Sequence, residues 1–123
     1  MGLPEISNKN IAQYLNKDTI VQQTAEQIMK DFSMFGVTIT YSGNTKNAYN
    51  ELLSQVKSEI STLFSNDYGR LLSLLYQIDI SDKELSKTHE ELTNYTPLEV
   101  IAHQIIVREL KKVLTREYFK SKY

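Results

Sequence analysis

Thr96-Pro97-Leu98-Glu99-Val100-Ile101-Ala102-His103-Gln104-Ile105-Ile106-Val107-Arg108-Glu109-Leu110 is the stretch on which the fold turns. Its first four residues read as a capping box. The Thr96 hydroxyl accepts from an orphan N–H of the first turn, and Glu99 reaches back to the Thr96 N–H. Pro97 falls at the first helical position, where its fixed φ helps and its missing N–H costs nothing. Tyr95 and Val100 stand at hydrophobic-staple spacing around the box. Beyond it, Leu98, Val100, Ile101, Ala102, Ile105, Ile106, Val107 and Leu110 leave little polar surface. The spacing predicts a helix to about Phe119 that forms the centre of a bundle and is packed by its neighbours.

Upstream, Ser81-Asp82-Lys83-Glu84 repeats the box, with Ile80 and Leu85 as its staple, and opens a short polar helix held by Leu85 and Leu92. Asp67 caps a helix through Ile78. Its Leu71, Leu72, Leu74, Leu75, Tyr76 and Ile78 reach so far round the circumference that it should be largely buried. Asn44 or Thr45 caps another helix, to about Ser65, with Tyr49, Leu52, Leu53, Val56, Ile60, Leu63 and Phe64 on one stripe. The first long helix opens at Asp18 or Thr19. It follows Val21, Ala25, Ile28, Phe32 and Phe35 at 4-3-4-3 spacing and stops at Gly36, a C′ residue. Residues 1–17 read as a polar arm with a short helical turn at Asn10–Leu15.

Val37-Thr38-Ile39-Thr40-Tyr41 is the one strand-like segment, and no second candidate offers it a sheet. It reads as an extended crossover whose Val37, Ile39 and Tyr41 pack on the helices. The sharper alternative makes those three residues a dimer contact, paired across a two-fold axis. The fold class is therefore all-α: a compact bundle of four to five helices with one extended crossover segment at 37–43, forming a single domain over 18–123.

A chain of 123 residues fits one domain with one core. Fourteen basic and fifteen acidic residues give a net charge of −1, which argues against a generally basic nucleic-acid binder. Zero cysteines exclude disulfides, thiolate metal sites and a cysteine nucleophile. No apolar run approaches a membrane span, and the N-terminus lacks the basic and apolar regions of a signal peptide. The expectation is a cytoplasmic protein with no membrane contact.

Three residues stand out as a polar site within apolar surroundings: Glu109, Asp79 and His103. Glu109 falls near the centre of the stripe made by Leu98, Ala102, Ile105, Ile106 and Val113. A carboxylate there needs a cation, and Lys112 is nearer, at i+3, than Arg116. A structural ion pair, or a carboxylate at the stripe's wet margin, outweighs a catalytic acid or base. Asp79 reads as a turn residue bonding backbone N–H groups around Ser81. His103 shares a face with Glu99 at i, i+4, which can pair two metal ligands. Di-iron bundles use Glu-x-x-His instead, and that motif is absent. A partly exposed His103 on an amphipathic helix is the simpler reading. No glycine-rich phosphate loop occurs. No catalytic residue, metal site or cofactor is assigned.

Residues 108–123 hold six basic residues against Glu109 and Glu117, so that stretch carries +4 and the remainder −5. Arg108, Lys111, Lys112, Arg116 and Lys120 are the candidate anion-binding patch, with Tyr118, Phe119 and Tyr123 interleaved. Cations also favour a helix C-terminus for its own sake, and at helical spacing these five spread around the axis. Nucleic acid is accordingly a secondary expectation.

Leu74-Leu75-Tyr76-Gln77-Ile78-Asp79-Ile80-Ser81 and Val107-Arg108-Glu109-Leu110-Lys111-Lys112-Val113 resemble segments of a family of small all-α proteins of Bacteroidetes-type bacteria. The resemblance extends from about Thr19 to Phe119. It implies a compact bacterial cytoplasmic protein and assigns no activity to any residue. An apolar framework without a convergent polar site points to a non-enzymatic protein-interaction or regulatory module, with a protein partner or self-association. Nucleic-acid binding through the basic C-terminal helix is the alternative, and a small-ligand binder or enzyme centred on Glu109 the third reading.

Overall fold

Short-range chemistry sets the helix ends. Asp67 Oδ1 accepts from the Arg70 N–H (3.1 Å), Ser81 Oγ from the Glu84 N–H (3.1 Å) and Thr96 Oγ1 from the Glu99 N–H (3.3 Å). In the computed structural model, which describes residues 17–122, these caps start three of five α-helices. The helices are α1 (Asp18–Ser33), α2 (Ala48–Asn66), α3 (Tyr68–Ile78), α4 (Asp82–Glu91) and α5 (Pro97–Lys122), with a 3-10 turn at Thr45–Asn47 leading into α2. The polar arm expected over 1–17, including the turn at Asn10–Leu15, lies outside the described residues except for Lys17. So do the side chain of Tyr118 and all of Tyr123.

The two capping boxes differ. At Thr96 the box is reciprocal, because Glu99 Oε1 also accepts from the Thr96 N–H at 2.9 Å. At Ser81 it is one-sided: the Glu84 carboxylate instead accepts from Gln104 Nε2 on α5 at 3.0 Å. A tertiary partner thus replaces the local one.

Two helices end in Schellman motifs. After α1, the Val37 N–H donates to Phe32 O (3.0 Å) and the Gly36 N–H to Ser33 O (3.1 Å), with Gly36 at φ 74°. After α3, the Ile80 N–H donates to Leu75 O (3.1 Å) and the Asp79 N–H to Tyr76 O (3.1 Å). Here the left-handed C′ residue is Asp79 itself, at φ 72°. Asp79 is therefore a helix C-cap, and its carboxylate bonds Arg108 rather than the backbone around Ser81.

All four other helices pack on α5. Ala102, Ile105, Ile106, Leu110 and Val113 of α5 lose all exposure against a core that includes Val21, Ile28 and Phe32 of α1 and Leu52, Val56 and Ile60 of α2. The fold is an all-α compact bundle with α5 at its centre, and no strand occurs among the described residues.

Helix α3 departs from its expected burial. Only Leu71, Leu74 and Ile78 are buried, whereas Leu72 (49% exposed) and Tyr76 (88% exposed) face outward. A short helix on the rim of a bundle is covered on one stripe only, so apolar residues beyond that stripe stay in water.

The 37–42 segment is extended and forms no strand. Val37 and Ile39 are buried in the chain's own core, and Tyr41 is partly covered. The Gln55 side chain stands in for a neighbouring strand. Its Oε1 accepts from the Thr40 N–H at 3.0 Å, and its Nε2 donates to the Thr40 carbonyl. Glu51 likewise accepts from the Ser42 N–H and hydroxyl, both at 2.8 Å. Val37 and Ile39 thus pack within the chain's own core, and the backbone of Thr40 is bonded to α2.

Candidate functional site

Glu109 anchors a chain of polar groups that runs from the core to the surface between α5 and α1. Its side chain has no exposure. Lys112 Nζ lies 2.9 Å from Glu109 Oε1 and donates to Asp31 Oδ2 at 3.3 Å. Gln27 Nε2 donates to Asp31 Oδ1 at 3.1 Å, and Arg116 Nη1 donates to Gln27 Oε1 at 2.6 Å. As a carboxylate, Glu109 accepts no well-directed hydrogen bond at either oxygen, since the Lys112 ammonium is close but poorly aligned. As an acid it donates to Asp31. Burial, followed by that hydrogen bond, pushes the Glu109 pKa up to about 8. Asp31 moves the opposite way. Its own burial opposes the shift, but the Glu109 hydrogen bond and the Lys112 charge together hold its pKa below the usual value.

This divergence of two carboxyl groups is the arrangement by which acids and bases are set apart. Glu109 is shut off from the groove beside it, however. The adjoining groove is lined by Lys112 and Arg116, not by Glu109 or Asp31. Lys112 and Asp31 form an ion pair beside the buried Glu109.

The other two members of the expected polar site lie in separate networks. Asp79 pairs with Arg108 at 3.3 Å, with its side chain 80% exposed. His103 is buried, not partly exposed as its amphipathic position implied. Its Nδ1 is hydrogen-bonded to the Tyr49 hydroxyl, which lies 2.8 Å from the Tyr95 hydroxyl, and both rings meet the imidazole edge-on at 5.7 Å. Burial pushes the His103 pKa down to about 4, so the ring is neutral, and burial also drives the Tyr49 phenol upward. Glu99, the other half of the imagined metal pair, closes the Thr96 box and approaches Lys57 at 3.8 Å. Among the described residues no group of three or more metal-ligating side chains is placed to hold an ion. Tyr49→Phe leaves the buried imidazole nitrogen without this partner and is expected to cost about 1–2 kcal/mol, read as a lower urea midpoint at unchanged m.

A third network joins α4 to α5: Thr88 Oγ1 donates to Gln104 Oε1 at 2.6 Å, and Gln104 Nε2 donates to Glu84. Sequence reasoning missed Gln104, Thr88, Tyr49, Tyr95 and Asp31 as partners. For Asp31 a signal exists, since it follows Ile28 by three and Thr24 by seven on the buried stripe of α1.

The basic residues are more ordered than axial spreading implies. Arg108, Lys112, Arg116 and Lys120 line one groove with Lys30 of α1, and Lys111 stands outside it. Four-residue steps turn only about 40° each, so a row of them stays on one side of the helix.

The outer face of α3 is a surface of different chemistry. Tyr68, Leu72 and Tyr76 succeed one another at one-turn spacing, exposed by 53%, 49% and 88%. Phe64, at the end of α2, meets Tyr68 edge-on at 5.5 Å.

No family model, no curated protein and no solved structure matches this chain. No helix among the described residues is long and apolar enough to cross a membrane.

Proposed function

We propose that this chain is a non-enzymatic protein-interaction module that self-associates through the outer face of α3. The observation that carries this reading is the exposed row of Tyr68, Leu72 and Tyr76, extended by Phe64. Single exposed apolar residues are ordinary on a protein surface; a contiguous row with three aromatic rings is not. Tyrosine suits such a contact because its ring buries area while its hydroxyl keeps a hydrogen bond at the rim.

Charge favours a second copy as the occupant. Across Tyr68–Ile78 the one charged residue is Arg70, and it is held by Asp67 at 3.1 Å. Two copies can therefore meet face to face about a two-fold axis without opposing like charges. The patch is small, so the association belongs to the weak, transient class.

Sedimentation velocity over a dilution series tests this. The expected result is a concentration-dependent shift from monomer to dimer that Leu72→Glu or Tyr76→Glu abolishes while the circular-dichroism melt is retained. A monomer at every concentration up to about 1 mM, or a dimer that both substitutions leave intact, would overturn it.

A further inference from the structure

The α1–α5 seam opens into a groove of about 860 Å³ lined by Lys30 of α1 and by Arg108, Lys112, Arg116 and Lys120 of α5. Two of these cations are committed within the chain. Arg108 is paired with Asp79, and Lys112 with Asp31 and Glu109. Arg116 donates to the neutral Gln27 amide, and its guanidinium fork carries further donors. No carboxylate among the described residues lies within ion-pair distance of Lys30, Arg116 or Lys120. Glu117 is the one acid that lines the groove itself. With Glu109 counted as ionised, five cations meet four carboxylates, so the seam is positive whether or not Glu109 holds a proton. The surplus belongs to Lys30, Arg116 and Lys120.

We propose that this groove docks an extended acidic peptide segment of a partner protein, with carboxylates on Arg116, Lys120 and Lys30. Arg116 and Lys120 stand one helical turn apart, about 6 Å along α5. Same-face side chains of an extended chain recur at about 6.5–7 Å, so two carboxylates one residue apart reach both cations. The guanidinium fork of Arg116 suits a carboxylate taken bidentately. Thr115 and Gln27 line the groove as well and bring hydrogen-bonding groups to a peptide main chain. Glu117 favours a peptide over a phosphodiester strand. A peptide can set a neutral or basic residue opposite this acid, whereas a strand carries a charge at every unit. Phe119 already has a partner within the chain, so the groove lacks the unengaged ring on which single-stranded bases stack. This surface is separate from the α3 face and does not depend on self-association.

An NMR titration of the labelled protein with an end-blocked peptide of about seven residues, alternating serine and glutamate, tests the assignment. The expected result is binding with Kd below about 5 mM at about 50 mM salt. Shifts should centre on the amides around Lys30, Arg116 and Lys120, and binding should weaken several-fold by about 200 mM salt. Arg116→Glu and Lys120→Glu should each weaken binding at least about 10-fold. Lys111→Glu, the same charge change on the same helix outside the groove, should cost less than about 3-fold. Circular-dichroism melts establish that each variant is folded. The proposal fails if the folded wild type does not reach that affinity, or if Lys111→Glu weakens binding as much as Arg116→Glu. It fails equally if an all-serine peptide binds as well, or if an oligothymidylate of equal charge binds as tightly as the acidic peptide. Leu72→Glu separates this surface from the α3 face: it should leave peptide binding unchanged.

Discussion

Lys112→Met is expected to destabilise the fold by about 3–5 kcal/mol, the usual cost of stripping the cation from buried acids. Among the described residues Lys112 is the one ammonium within ion-pair distance of both Asp31 and Glu109, whose side chains are 6% and 0% exposed. Methionine fills most of the same volume, so the loss is electrostatic rather than steric. The two carboxyl groups then share a low-dielectric site with no cation beside them, leaving the Gln27 amide and the Glu109 acid proton to serve Asp31. Lys112→Met combined with Asp31→Leu should recover most of the stability, because a buried ion pair exchanged for apolar contact is commonly neutral or better. Urea unfolding of the single and double variants measures both quantities. A single variant within about 1 kcal/mol of wild type would show that Lys112 does not hold the acids.

The second large effect is a loss of stability of about 2 kcal/mol between pH 6.5 and 8. Glu109 has a folded pKa of about 8 against 4.5 in the unfolded chain. Between those values the folded state keeps a proton that the unfolded state has released. Its contribution is therefore full below pH 4.5 and disappears as pH rises to 8. His103 has the opposite sign. Its folded pKa of about 4 lies under the unfolded 6.5, so its contribution is full above pH 6.5 and is lost as pH falls to 4. The two slopes offset one another between pH 4.5 and 6.5, giving a plateau. Above 6.5 Glu109 acts alone, at about 1.4 kcal/mol per pH unit. Below the plateau Asp31, whose folded pKa is held low, adds an acid limb as it protonates. Glu109→Gln keeps a neutral, similarly shaped side chain and should flatten the profile from pH 6.5 to 8. A wild-type profile already flat there would mean that Glu109 is ionised in the folded protein.

Helix positions are legible in the sequence because caps are local. Asp67, Ser81 and Thr96 each act on an N–H three residues away, and Gly36 on its own backbone conformation. The centrality of α5 is legible because so little of its first half is polar. Contacts between helices are not legible in this way. Whether Glu84 closes its own cap or turns to Gln104 depends on how α4 lies on α5. The meeting of Tyr49 with His103, 54 residues apart, depends on how α2 pairs with α5. Helical periodicity places Glu109 near the centre of an apolar stripe without deciding whether it is buried. Its partner Asp31 lies 78 positions earlier and becomes visible only when α1 is docked.

The apolar circumference of α3 teaches the complementary point. Periodicity reports which residues could be buried, while the number of neighbours decides which are. Leu72 and Tyr76 have the composition of core and the position of surface. That mismatch is the basis of the proposed contact through α3. In the 37–42 segment the reverse occurs. A strand-like pattern with an apparently open edge is closed within the chain by Gln55 and Glu51, through side chains whose role cannot be read until α2 lies beside it.

Self-association through α3 is tested most directly by an isotope-filtered NOESY on an equimolar mixture of labelled and unlabelled protein, recorded at a concentration where the dimer dominates. The account predicts intermolecular contacts among Tyr68, Leu72 and Tyr76, with Phe64 at their margin. Intermolecular contacts confined to other surfaces, with the α3 rings still solvent-exposed, would contradict it.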